Sequence, residues 1–258
     1  MKEKSIIKTA MKPYRHIQKF IAKYCDVDFK DELKPSAYLA FFEEVACSSA
    51  DELGFGYEYL KPLNYGFIVS AVRCQFIKPV RLSQTFDTQT WPLPPTFATF
   101  GREYRVCSQE GEVLANASSR WCMVDLASGR VLASKALTGQ DYSTYNTERA
   151  VDVQSWKIPK FEIEEGELKF QMTVANSEYD HYMHVNNTRY ADYCFNCFSV
   201  AELSAWKVEE FAISYLRQCH EGDVLRFYRK ACEKGVYLIQ GVKGAEEIVV
   251  SAEIKFAV

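Results

Sequence analysis

The sequence predicts an α+β fold in which one unit is used twice: a strand, a long helix, and then about four antiparallel strands. Three observations carry this expectation. The chain has 258 residues, close to twice the ~100–150 of a typical single domain. The stretch Asp28 to Leu39 (DFKDELKPSAYL) can be set beneath Asp180 to Ala191 (DHYMHVNNTRYA), pairing Asp28 with Asp180, Leu33 with Val185 and Tyr38 with Tyr190 at one offset of 152 positions. Each stretch then leads into a helical pattern and a series of strand-like segments, so the order of elements repeats as well.

In the first half, Gln18 to Tyr24 reads as a strand. The helix SAYLAFFEEVACSSADELG follows, with Leu39, Phe42, Val45 and Ala46 at three- and four-residue spacing and Gly54 as its C-cap. Strands are expected at Gly66 to Phe76, Gln84 to Trp91, Phe97 to Cys107 and Glu112 to Asp125, separated by turn signals such as Ser108-Gln109-Glu110-Gly111. In the second half, Leu168, Phe170, Met172 and Val174 alternate as a strand should. The helix NTRYADYCFNCFSVAEL puts Tyr190, Tyr193, Cys194, Cys197, Val200 and Ala201 on one face. Strands then follow at Val208 to Arg217, Asp223 to Cys232, Gly235 to Val242 and Ile248 to Val258.

An antiparallel sheet needs one face covered, and a single central helix does that. A long helix wrapped by a curved antiparallel sheet is the hot dog fold, and two in one chain make a double hot dog. Residues 1–127 form the expected first unit, 128–166 a linker and 167–258 the second unit. Two unrelated α+β domains are the competing arrangement, and the shared offset across an Asp, an apolar and a Tyr position weighs against them.

Composition narrows the function classes. Hydrophobic residues make up 48% and charged residues 25%, which excludes wholesale disorder. A net charge of −3 supplies no basic field for nucleic acid. No apolar run approaches the ~20 residues of a membrane span, and MKEKSIIKTAMK has no apolar core of a secretory signal. Nine irregularly spaced cysteines, mostly within apolar stretches, fit reduced thiols in a cytoplasmic protein rather than a disulfide framework.

Four histidines occur: His16, His181, His184 and His220. His16 and His220 read as surface residues. His184 lies in a loop feeding the second helix, where free backbone N–H groups and the positive end of the helix dipole can stabilise an oxyanion. Asp180 and His184 can supply acid–base function there. The matched position in the first half is Glu32, so a single active centre belongs to the second half. The plainer alternative is that Asn186 or Asn187 caps the helix and His184 packs against it. Cys194-x-x-Cys197 falls inside the helix with no second Cys or His pair at zinc-finger spacing, so packing explains it better than metal or redox chemistry. No cofactor is expected. The acidic run Glu162 to Glu167 reads as a solvated turn.

Asp180-x-x-x-His184-Val185-Asn186-Asn187-x-x-Tyr190 resembles the D-x-N-x-H-V-N-N-x-x-Y signature of acyl-ACP thioesterases, which are double hot dog enzymes. Asp28 to Pro35 with the helix ending at Gly54 is similar to that family's N-terminal unit, and Tyr215-Leu216-Arg217-Gln218-Cys219 to its Y-x-x-E-C strand, so the likeness covers essentially the whole chain. The resemblance implies catalytic roles at Asp180, His184, Gln218 and Cys219, with Tyr182, Val185 and Asn186 around the substrate. Two positions depart from the pattern: Tyr182 stands where the family has Asn, and Gln218 where it has Glu. A glutamine can orient a water but cannot accept its proton, so Asp180 or His184 would act as base. For Cys219, a nucleophilic thiolate would need His184 within reach, whereas a small hydrophobe on a strand is the commoner role; water attack is the expectation.

By the same resemblance the substrate is a fatty acyl chain on the phosphopantetheine arm of acyl carrier protein. The first unit sets chain length, with Phe41, Phe42, Phe67, Val69 and Phe76 as candidate lining, and Arg217, Arg226, Arg229 and Lys230 as a candidate basic patch for the acidic carrier. An acyl-CoA thioesterase and a catalytically impaired acyl-thioester binding protein are the alternatives, the latter motivated by Tyr182 and Gln218. The internal duplication makes a monomer feasible, with a homodimer also open.

Overall fold

Ten strands join edge to edge in one antiparallel sheet in a computed structural model that describes residues 13–233 and 235–257. The segment assessed as a possible secretory signal (1–12) and Val258, the end of the expected closing strand, lie outside the described residues. The first half contributes β1 (His16–Ile21), α1 (Pro35–Glu52), a short α2 (Tyr57–Leu60), β2 (Tyr65–Phe76), β3 (Thr85–Pro92), β4 (Phe100–Ser108) and β5 (Val113–Asp125). The second contributes β6 (Glu167–Thr173), α3 (Asn187–Phe195), α4 (Val200–Ala205), β7 (Lys207–Tyr215), β8 (Val224–Ala231), β9 (Val236–Lys243) and β10 (Glu247–Ala257).

The strand order β1-β3-β4-β5-β2-β7-β10-β9-β8-β6 is two copies of one five-strand order meeting head to head. The seam is the antiparallel pairing of β2 with β7, from Ala71 opposite Ser214 to Gln75 opposite Glu210. One chain therefore closes internally the sheet edge that a single unit would leave open.

Pro35 occupies the first turn of α1, where its missing N–H costs nothing. The helix buries Leu39, Phe42, Val45, Ala46 and Ser49 against the sheet, and Gly54 takes the left-handed φ of +77° that ends it. The second half departs from the single long helix expected there: α3 stops after nine residues and α4 adds six. Ser199 accepts the Glu202 N–H while the Glu202 carboxylate accepts the Ser199 N–H, a capping box that starts a new helix instead of continuing the old one. The break lets Phe198 turn into the sheet against Tyr237 and Phe256.

In the segment 128–166, Leu132, Leu137 and Tyr145 pack with Phe55 and Leu60 at the end of α1, and from Glu148 on the chain crosses the face of the sheet away from the helices. Arg102 bonds to Ser49 of α1, so its strand neighbour Glu103 points to the opposite face, where its carboxylate accepts the Ala150 N–H at 2.9 Å. Trp91 Nε1 donates to the Glu148 carbonyl at 2.9 Å and Arg73 to that of Trp156 at 2.6 Å. Farther on, the Gln240 amide makes two 3.0 Å bonds to the Phe161 backbone. The segment is thus tied to both halves. Its acidic end forms a turn at Ile163–Glu165 leading into β6.

Candidate active site

The loop before α3 is held by its own aspartate. Asp180 Oδ1 accepts the N–H of Tyr182 at 2.9 Å and of His184 at 3.2 Å, and the Asp180 N–H donates to the His184 carbonyl at 2.8 Å. Met183 takes a φ of +62° to close the turn, a conformation that costs a non-glycine residue free energy. A bridge between Tyr179 and Val185 pins the base of the loop and buries Val185. Asn186 is the helix N-cap, accepting from Thr188 N and Oγ1 at 2.8 and 2.7 Å. Asn187, the first residue of α3, has an N–H with no acceptor among the described residues, as a first helical turn leaves it.

This geometry carries His184 to the junction of the two halves. Its Nδ1 lies 3.4 Å from the amide nitrogen of Gln218, which follows the end of β7. Both face a groove of about 580 Å³ whose far wall is β2 and β5 of the first half, with Phe67, Val69 and Cys122 among its lining. A second cavity of about 260 Å³ lies alongside, beneath α1, lined by Ala46, Ala50, Phe55, Leu60, Phe67 and Phe100 among others. Tyr182 and Phe67 line both, so they stand at the passage between groove and cavity.

The first half repeats the loop with a glutamate in place of the histidine. Asp28 Oδ1 accepts from Lys30 N and Glu32 N at 2.8 and 3.2 Å. Glu32, in the place of His184, is ion-paired with Arg81 at 3.0 Å and Lys30 at 3.4 Å. The twin groove, lined by Asp28, Glu32, Tyr38 and Phe76 among others, has no histidine in its lining.

Residues 13–135 match the acyl-ACP thioesterase N-terminal domain and residues 162–257 the C-terminal domain. The chain belongs to the acyl-ACP thioesterase family. Its reaction is hydrolysis of the thioester that joins a fatty acyl chain to acyl carrier protein. The fold agrees: the thioesterase superposes on an acyl-ACP thioesterase from Bacteroides thetaiotaomicron with TM-score 0.86 at 21% identity, covering 94% of this chain and 98% of that one. It also superposes on the 12:0-ACP thioesterase from Umbellularia californica with TM-score 0.84 at 16% identity, covering 94% and 97%. No curated protein sequence matches the chain.

Cys219 of this thioesterase is fully buried. Burial pushes its thiol pKa up, and the Tyr190 hydroxyl beside it opposes the shift. In the first half the hydroxyl of Tyr38, the match of Tyr190, accepts the N–H of the fully buried Val80 at 3.3 Å. The two tyrosines therefore rest against a valine in one unit and a cysteine in the other. Cys194 and Cys197 are buried too, and no cluster of metal-ligating side chains occurs among the described residues.

Of the aromatic residues expected along the acyl chain, Phe67 lines both cavities. Phe42 stacks on Tyr104 at 4.6 Å in the core, and Phe76 packs on Tyr38 at 5.0 Å beside the twin groove. The four basic residues do not form one patch: Arg229 pairs with Glu202 at 2.8 Å and lies over Phe198, Lys230 pairs with Glu165, and Arg226 bonds the Gly244 carbonyl. Arg217 is exposed on the wall of the groove that His184 lines, with Nε 3.5 Å from Glu247. His16 is not a surface residue; its side chain is 12% exposed, with Nδ1 2.9 Å from Glu52, because β1 lays it against the end of α1. His220 is exposed.

Sequence reasoning passed over Glu43. It sits in the stripe of α1 four residues after Leu39 and three before Ala46, and it lines the cavity beneath α1 with Tyr182. Among the described residues no group bonds or ion-pairs with its carboxylate. Burial, and then the charge of Asp180, hold its pKa above the usual carboxylate range. A lone carboxylate inside an apolar helical stripe was the available signal.

Proposed function

We propose that hydrolysis runs at one centre in the second half, with His184 as the base and a water as the nucleophile. The observation that carries this reading is the placing of His184 and Gln218 together in a groove that opens past Tyr182 and Phe67 onto an apolar cavity. The amide nitrogen of Gln218 is the atom that lies 3.4 Å from Nδ1; turning the amide over to present its oxygen holds the imidazole proton on Nδ1 and leaves the Nε2 lone pair for water.

The acyl thioester enters with its carbonyl in the groove and its chain beneath α1. His184 takes a proton as water attacks the carbonyl carbon. The N-terminus of α3, with the Asn187 N–H, stabilises the oxyanion. Collapse of the tetrahedral intermediate breaks the C–S bond, and the departing pantetheine sulfur takes the proton from His184. Asp180 shapes the loop rather than moving the proton, since Asp28 makes the same two bonds where no chemistry occurs. Cys219 packs.

A cavity of about 260 Å³ is small beside the ~300–1,000 Å³ of typical ligand pockets, which favours short to medium chains. Arg217 at the groove contributes to holding the acidic carrier or its phosphopantetheine phosphate. Free thiols at all nine cysteines accord with a cytoplasmic setting, and the internal β2–β7 pairing with a monomer. Release of carrier thiol from C6 to C18 acyl-ACPs tests the reading: turnover peaking at or below C12 supports it, and a peak at C16–C18 contradicts the chain-length part.

A further inference from the structure

The acyl cavity is not apolar throughout. Arg102 of β4 forms part of its wall, yet the side chain is almost wholly buried at 6% exposure. No acidic residue pairs with it among the described residues. Nη1 donates to Ser49 Oγ at 2.9 Å and Thr90 Oγ1 at 3.2 Å, both neutral, and neither Nε nor Nη2 has a protein acceptor among the described residues. A buried cation without a counter-charge is strongly unfavourable unless something bonds to it. In the same wall the Tyr142 hydroxyl is buried and has no hydrogen-bond partner. Arg102 thus presents unpaired donors to the cavity, and the unpartnered Tyr142 hydroxyl lies just beneath the same wall, which Phe55, Leu60, Phe67 and Phe100 make largely hydrophobic.

Their place along the cavity matters. The groove that holds His184 is walled by β2 and β5, and β4, which carries Arg102, is the next strand beyond β5 in the sheet. Arg102 and Tyr142 therefore stand toward the end that the tail of the acyl chain would reach.

We propose that this end is a polar subsite that takes an acyl chain bearing a neutral oxygen near its terminus, such as an ω-hydroxyl or an oxo group. The inference rests on the acyl cavity being the one assigned above. A hydroxyl oxygen accepts from the Arg102 guanidinium and donates to or accepts from Tyr142. A terminal carboxylate fits less well, because Glu43 and Asp51 line the same cavity and repel it. A site built to bond an oxygen rejects the analogue that lacks it, since its buried donors are then left unpaired.

Binding of the free acids tests this independently of turnover. Isothermal titration with 10-hydroxydecanoate and undecanoate, which match in length, is expected to show the hydroxy acid binding at least tenfold tighter. Tyr142→Phe and Arg102→Met are expected to cut that preference to threefold or less. Tyr142→Phe alone decides the matter if Arg102→Met does not fold. Equal binding of the two acids, or a preference unchanged by Tyr142→Phe, overturns the subsite. Hydrolysis of the matching acyl-ACPs is measured in parallel. A hydroxy-acid preference without any hydrolysis upholds the subsite while contradicting the catalytic reading, so the two failures are distinguishable.

Discussion

Asp28 and Asp180, 152 positions apart, hold the same turn: each Oδ1 accepts the amides two and four residues ahead, at 2.8 and 3.2 Å in one unit and 2.9 and 3.2 Å in the other. The turn needs an acceptor oxygen, not a charge. Asp180→Asn should therefore keep kcat within about threefold. Asp180→Ala, which strands two amides, should cost about 1–2 kcal/mol, the size of a lost cap, and at least tenfold in kcat. Thermal unfolding beside acyl-ACP kinetics checks both; a thousandfold loss in Asp180→Asn at unchanged stability would give the carboxylate a chemical role.

Cys219 should be dispensable for chemistry. With its thiol buried and its pKa raised, Cys219 should be spared by alkylation at pH 8 until the chain unfolds, while the exposed Cys25 and Cys232 label readily and Cys47, exposed but with its thiol pushed up to about 11, labels more slowly. Peptide mapping after iodoacetamide reads this out. Cys219→Ala should retain kcat within about threefold while lowering stability by about 1 kcal/mol for the lost packing.

Gln218 holds Nδ1 of His184 without contributing a charge. A carboxylate there would steady the imidazolium that forms as water is deprotonated. Gln218→Glu is expected to raise kcat by about tenfold, and Gln218→Leu to lower it by a similar factor. Equal rates for all three would show that the 3.4 Å contact has no part in turnover.

Glu43 gives a prediction with opposite signs for stability and activity. Its folded-state pKa is raised, so the ionised form is disfavoured in the fold. The penalty is absent below the ordinary carboxylate range and grows as pH rises through and above it. Glu43→Gln should thus match the parent's Tm near pH 4 and exceed it at pH 7, each kcal/mol relieved being worth about 2–4 °C in a chain of this size. Activity should fall severalfold, because the carboxylate lines the acyl path beside Tyr182. A Tm difference independent of pH would contradict this account of Glu43.

The duplicated framework was legible because its signals are local. A turn that needs an aspartate, an apolar residue five places on and a tyrosine ten places on left the same trace in both halves. The break between α3 and α4 was legible in principle, since Ser199-Val200-Ala201-Glu202 is a capping-box sequence, but the apolar face running through it suggested one helix. Glu43 and Arg102 were hidden for a different reason. Each becomes part of a cavity only when α1 packs across the sheet, and nothing in the neighbouring sequence says what lies opposite. Phe42 and Phe76 illustrate the converse, as aromatic residues in the right strand or helix that the packing assigns to the core. Aromatic content alone does not separate a core from a tunnel.

The central claim is that His184 is the base of a single working centre, and the most direct test compares wild type with His184→Ala. Carrier thiol release from C6 to C12 acyl-ACPs is followed beside acyl-ACP binding. The account predicts turnover by the wild type, a fall of at least 100-fold in kcat for His184→Ala, and binding within threefold of the parent. Turnover that survives in His184→Ala, or a wild type that binds acyl-ACP without releasing thiol, would contradict it.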